Sequence, residues 1–68
     1  MANPTTEMIY QFIRTYIEQH GYSPSQREIA DGCYISLGSV YNHLIRLEIQ
    51  GRIYRDPGKS RSIHIVTR

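Results

Sequence analysis

The sequence predicts an α+β domain in which three helices are followed by a C-terminal β-hairpin. Apolar residues recur as adjacent pairs every four positions near the N-terminus, and two later helical segments open on serine caps. The C-terminal segment then changes to a period of two around an Asp-Pro-Gly-Lys turn. At 68 residues and 7.9 kDa, residues 1–68 make one small domain. Such a core is too small for a deep substrate cleft or a large cofactor pocket. A content of 40% hydrophobic and 21% charged residues describes a folded chain rather than a disordered tail.

The first helix is expected over 4–20. Asn3 reads as its N-cap and Pro4 as its first turn, where a missing N–H costs nothing. Met8, Ile9, Phe12, Ile13, Tyr16 and Ile17 paint one wide apolar stripe, and Gly21 supplies a stop. The second helix, 26–32, opens on Ser25-Gln26-Arg27-Glu28, a capping box in which serine and glutamate satisfy each other's free N–H groups. It turns Ile29, Ala30 and Cys33 inward, and Gly32 weakens its last turn. Ser36 caps a third helix, 37–50, which Gly51 ends. Val40, Leu44 and Leu47 form its buried seam. The opposite side carries Gly38, Ser39, Asn42, His43 and Arg46, with Tyr41 at the edge and no acidic residue in the first two turns. A face that is small, polar and rich in hydrogen-bonding groups suits a groove.

The hairpin is expected over 53–66. Ile53-Tyr54-Arg55 is extended, Pro57 and Gly58 stand where a type II turn needs them, and Ile63 and Ile65 share a face. Arg55, Lys59 and Arg61 cluster near its tip. A short helix, a tight turn, a longer helix and a basic hairpin together describe a winged helix-turn-helix, whose third helix serves as the recognition helix in a DNA major groove.

The net charge of +2 conceals an asymmetry. Through residue 51, Arg14, Arg27 and Arg46 face five carboxylates, a net −2; from residue 52 on, Arg52, Arg55, Lys59, Arg61 and Arg68 face Asp56 alone, a net +4. A polyanion is the natural partner of such an end.

The ordered set Gly21-Tyr22-Ser23-Pro24-Ser25, Arg27-Glu28-Ile29-Ala30, Ser39-Val40-Tyr41-Asn42-His43-Leu44, Arg46-Leu47-Glu48 and Gly51-Arg52-Ile53 resembles the N-terminal DNA-binding domain of LexA-type repressors. Arg55 through Arg61, with Ile63 and Ile65, resembles the wing of that family. The resemblance implies a transcriptional regulator that binds double-stranded DNA, with base contacts at Ser36, Gly38, Ser39, Tyr41 and Asn42. Backbone contacts are implied for Ser25, Gln26 and Arg27 at the start of the second helix, and for Lys59 and Arg61 from the wing; Arg46 is expected to join them from the third helix. Asn42 is the best direct reader, because an amide pairs bidentately with adenine. Two departures stand out: the turn between the second and third helices is one residue shorter than in the family, and Tyr34 occupies a position where the family places glycine, so a strained positive φ is expected there. Self-cleaving LexA repressors also carry a peptidase domain with a serine–lysine pair and an Ala-Gly cleavage site. Here Ala2 and Ala30 precede asparagine and aspartate, and Lys59 is the only lysine, so a DNA-binding domain without that peptidase is expected.

Other chemistries find little support. Cys33 reads as a small buried hydrophobe and excludes an internal disulfide. His20, His43 and His64 lack ligand spacing, so no metal or other cofactor is expected. No nucleophile has a positioned base, which argues against an enzyme or a small-molecule substrate. No apolar run approaches the roughly 20 residues of a membrane span, and no signal peptide is visible, so a cytoplasmic protein, at the nucleoid if bacterial, is expected. A monomer that pairs as a homodimer on its operator is the expected assembly. The rival readings are a winged helix used for protein contact and a nonspecific nucleic-acid or RNA binder, the latter because the third helix holds few strong base readers.

Overall fold

A computed structural model describes residues 4–59 and 61–67. Their order is α1 (Pro4–His20), α2 (Gln26–Cys33), α3 (Leu37–Ile49), β1 (Ile53–Arg55) and β2 (Ile63–Ile65), the winged helix-turn-helix arrangement the sequence predicts. The Asn3 cap expected for α1 lies outside the described residues.

Glycines and serines punctuate the helices. Gly21, at φ +79°, returns its N–H to the Ile17 carbonyl at 2.8 Å and ends α1. At the start of α2, Ser25 Oγ accepts the Glu28 N–H at 3.1 Å, and Glu28 Oε1 accepts the Ser25 N–H at 2.9 Å, completing the capping box. Ser36 Oγ accepts the Ser39 N–H at 3.2 Å to cap α3. The far end of α3 closes on Gly51, at φ +74°: its N–H bonds the Glu48 carbonyl and the next N–H, from Arg52, bonds that of Leu47. That pair of bonds is the Schellman arrangement.

The core forms where the three helices meet the inner face of the hairpin. Ile9 and Ile13 from α1, Ile29 from α2, and Val40, Leu44 and Leu47 from α3 are fully buried, with Ile53 and Ile63 beneath them. Each such side chain contributes about 1.5–3 kcal/mol on leaving water. The buried stripe of α1 is narrower than its apolar pattern suggests: Met8 is 45% exposed, while Thr6 is buried and hydrogen-bonded through Oγ1 to His43 Nδ1 at 2.7 Å. Gly32 has a packing role that sequence alone did not reveal. A Cβ at this position would lie 2.3 Å from the Phe12 ring, so glycine is what leaves room for the outer edge of that ring against α2.

Antiparallel pairing sets Ile53 against Ile65, Tyr54 against His64 and Arg55 against Ile63. Gly58, at φ +76°, provides the positive φ of the expected type II turn. Buried Ser23, in the connection between α1 and α2, accepts the Ile63 N–H on its Oγ at 3.2 Å and so ties the hairpin to the helices.

Three arginines complete that attachment, each reaching a different helix. Arg52 donates to both carboxylate oxygens of Glu7 on α1, at 2.8 and 2.9 Å, with its guanidinium 3.9 Å from the Tyr10 ring centroid. Arg55 donates to Glu48 on α3 at 2.7 Å. Arg61 donates to both oxygens of Glu28 on α2, at 2.8 and 2.9 Å.

Candidate nucleic-acid interface

The exposed face of α3 carries the residues expected to read bases. Gly38 and Asn42 are exposed, and Tyr41 is half exposed. A Cβ at Gly38 would meet nothing within 4 Å, so the protein itself does not require glycine there. The bare backbone instead leaves room for a close external approach. Ser36 and Ser39 are coupled: Ser36 Oγ donates to Ser39 Oγ at 3.1 Å while accepting the Ser39 N–H. Ser36 is thereby occupied as a cap, whereas the Ser39 hydroxyl keeps its proton for an outside acceptor.

Gln26, Tyr41 and Lys59 come together around a recess of about 390 Å³ between the start of α2, the face of α3 and the wing tip. Arg55 lies over the Tyr41 ring at 5.5 Å and bonds Glu48, so the wing helps to hold Tyr41 on the α3 surface. The capping box uses the Ser25 and Glu28 N–H groups and leaves those of Gln26 and Arg27 at the open end of α2, a suitable place for an anionic oxygen.

The cations divide into two sets. Arg14, Arg27, Arg46 and Lys59 are exposed and have no ion pair among the described residues, and all but Arg14, on α1, come from α2, α3 or the wing. Arg61, expected to touch phosphate, is instead turned back on its own protein. Besides Glu28, its guanidinium donates to the Tyr16 hydroxyl and the Ser23 carbonyl, each at 3.2 Å, and lies 5.0 Å from the Tyr22 ring centroid. Any phosphate contact by Arg61 has to compete with this clasp. The clasp holds the Glu28 carboxyl down at about 2, chiefly through the Arg61 hydrogen bond and secondly through the Ser25 N–H. Arg52 likewise lowers Glu7.

The histidines are engaged separately. His43, half-buried, joins α3 to Thr6 of α1 through its Nδ1. His64 stacks on Tyr54 and bonds Asp56 at 3.0 Å, and His20 packs on Tyr16. Burial pushes the Cys33 thiol up, consistent with its place in the core.

Three helices, a capped second helix beside an exposed polar third one, and a hairpin braced against all of them define a winged helix-turn-helix protein. Comparison with known proteins narrows the class. The LexA DNA binding domain family matches residues 4–62, and the chain belongs to that family. It is 42% identical over 66 residues to a LexA repressor of Moorella thermoacetica, covering 96% of this chain and 32% of that protein. Against a LexA repressor of Staphylococcus carnosus the identity is 47% over 60 residues, or 87% of this chain and 29% of the relative. A LexA repressor of Thermosipho africanus is 44% identical over 62 residues, 91% of this chain and 31% of the relative. The chain thus spans about a third of the length of these curated relatives.

Proposed function

We propose that this chain is the sequence-specific, double-stranded DNA-binding unit of a LexA-like transcriptional repressor, acting as a regulator rather than an enzyme. The observation that carries the reading is the exposed face of α3, where Gly38, Ser39, Tyr41 and Asn42 share the first two turns with no acidic residue, beside the open end of α2 and the exposed Lys59. In this reading α3 enters the major groove. Asn42 pairs with an adenine edge, the Ser39 and Tyr41 hydroxyls meet base or phosphate oxygens, and Gly38 lets the backbone come close. Ser36 serves the same face mainly by capping α3. Ser25, Gln26 and Arg27 hold one phosphate at the α2 N-terminus, while Arg46 and Lys59 hold others. Arg61 serves the interface by holding the wing and covering the Glu28 charge. Two chains pair on an operator with two half-sites.

The test is selection from a random pool of labelled duplexes, followed by fluorescence anisotropy at about 50 and 200 mM salt. An enriched palindromic motif bound with steep salt dependence is the expected outcome. Steep binding without a motif would instead make the chain a nonspecific binder, and no binding at low salt would point to protein contact. On the selected duplex, Asn42→Ala is expected to cost about 1–3 kcal/mol at one base position and leave the others unchanged. Equal loss on every duplex would remove Asn42 as a reader.

A further inference from the structure

Tyr34, in the turn between α2 and α3, is the most exposed of the large apolar and aromatic side chains described, at 93%. Its backbone is in the left-handed region, φ 58° and ψ 44°, a conformation that disfavours every residue with a Cβ. The turn itself is fully explained by the main chain: the N–H groups of Tyr34 and Ile35 both return to the Ala30 carbonyl and close α2. Glycine would make the same turn without strain. Nothing inside the molecule uses the ring, since the Tyr34 side chain makes no hydrogen bond, ring contact or cation–π contact among the described residues. The fold therefore accepts both strain and an exposed aromatic ring at this position and gains nothing from either.

Its location supplies the partner. Tyr34 lies two residues before the Ser36 cap and four before Gly38, at the N-terminal mouth of the helix whose exposed face forms the interface. A helix that enters a major groove by its N-terminal residues carries the preceding turn against the wall of that groove. Resting on the DNA-binding reading, we infer that Tyr34 is a further DNA-contacting residue. Its hydroxyl donates to a phosphate oxygen on the strand that borders the groove, and its ring covers the neighbouring sugar. The contact is uncharged, so it adds affinity without releasing an additional counterion.

The test compares Tyr34→Gly and Tyr34→Phe with the parent chain on the duplex selected from the random pool. Thermal unfolding, anisotropy across a salt series and phosphate-ethylation interference are measured on each. Tyr34→Gly is expected to raise the melting temperature, because strain is relieved, and to weaken binding by about three- to thirty-fold with an unchanged salt slope. Tyr34→Phe is expected to keep the parent's melting temperature and to abolish interference at the one phosphate per half-site that the hydroxyl contacts. Parent-level affinity and an unaltered interference pattern in both variants would overturn the inference while leaving the DNA-binding reading intact. A lowered melting temperature in Tyr34→Gly would also overturn it, by showing that the ring supports the fold. If the parent chain bound no duplex at low salt, the functional reading itself would fail, and this one with it.

Discussion

The guanidinium of Arg61 meets Glu28, Tyr16, Ser23 and Tyr22 at once, and the carboxylate it covers stands in the first turn of α2, beside the N–H groups assigned to phosphate. Left bare, Glu28 would repel the same phosphate that the helix end attracts. Arg61→Ala is thus expected to weaken binding to all duplexes alike, and adding Glu28→Gln should restore most of the loss. An Arg61 that met phosphate directly would show no such rescue. The clasp also has an acid signature. Because Glu28 titrates at about 2 in the folded protein against an ordinary 4.5, the stability it confers is whole above about 4.5 and is lost as the pH falls toward 2. The melting temperatures of the parent and Glu28→Gln chains should differ at neutral pH and converge over that window. A constant gap between them would mean that something other than the ionised pair separates the two.

Two glycines lie in terminal helical turns, Gly32 in the last turn of α2 and Gly38 in the first turn of α3, and their substitution by alanine should act in opposite directions. Gly32 lies against the Phe12 ring of α1, and an added Cβ would sit 2.3 Å from it; Gly38 on α3 has open space around it. Propensity alone favours alanine at both sites by a fraction of the about 1 kcal/mol found in a helix interior. Overpacking reverses the sign at the first, so Gly32→Ala should cost about 1–3 kcal/mol in urea unfolding, with partial recovery when Phe12→Leu is added. Gly38→Ala should stabilise the fold and weaken DNA binding; stabilisation without loss of affinity would remove the close backbone approach. This contrast marks the limit of what the elements disclosed in sequence. The caps at Ser25 and Ser36, the stops at Gly21 and Gly51 and the Pro57-Gly58 turn were legible because each is a local pattern with its partner three or four residues away. Gly32 was legible only as a weak helix former, since its partner Phe12 is on another helix. Thr6 and Ser23, buried polar residues that bond to His43 and Ile63 across the fold, likewise carry no sequence signal until the chain is folded.

For the whole molecule, the distribution of charge changes on folding. Along the chain, the C-terminal segment is strongly basic and the rest is acidic. In the fold, Arg52, Arg55 and Arg61 each pair with a glutamate from that acidic part, so the charge asymmetry is used largely to attach the hairpin to the three helices. Bidentate geometry makes the Arg52 and Arg61 pairs better than ordinary surface pairs, which contribute about 0–1 kcal/mol. The cations left on or beside the proposed interface are Arg27, Arg46 and Lys59. Neutralising about three phosphates per chain gives a slope of log affinity against log salt near −2.7, or about −5.4 for a pair on an operator. Counting Arg61 as a fourth phosphate contact, as the sequence suggests, would make the slope steeper by about 0.9 per chain. Lys59→Ala and Arg61→Ala each remove one positive charge from the wing, yet only the first is expected to flatten the slope, by about 0.9 per chain, while the second lowers affinity at every salt concentration with the slope retained. Anisotropy over a salt series on one selected duplex separates them. Equal flattening by both variants would return Arg61 to the phosphate backbone and leave the Glu28 clasp as a resting contact that the wing gives up on binding.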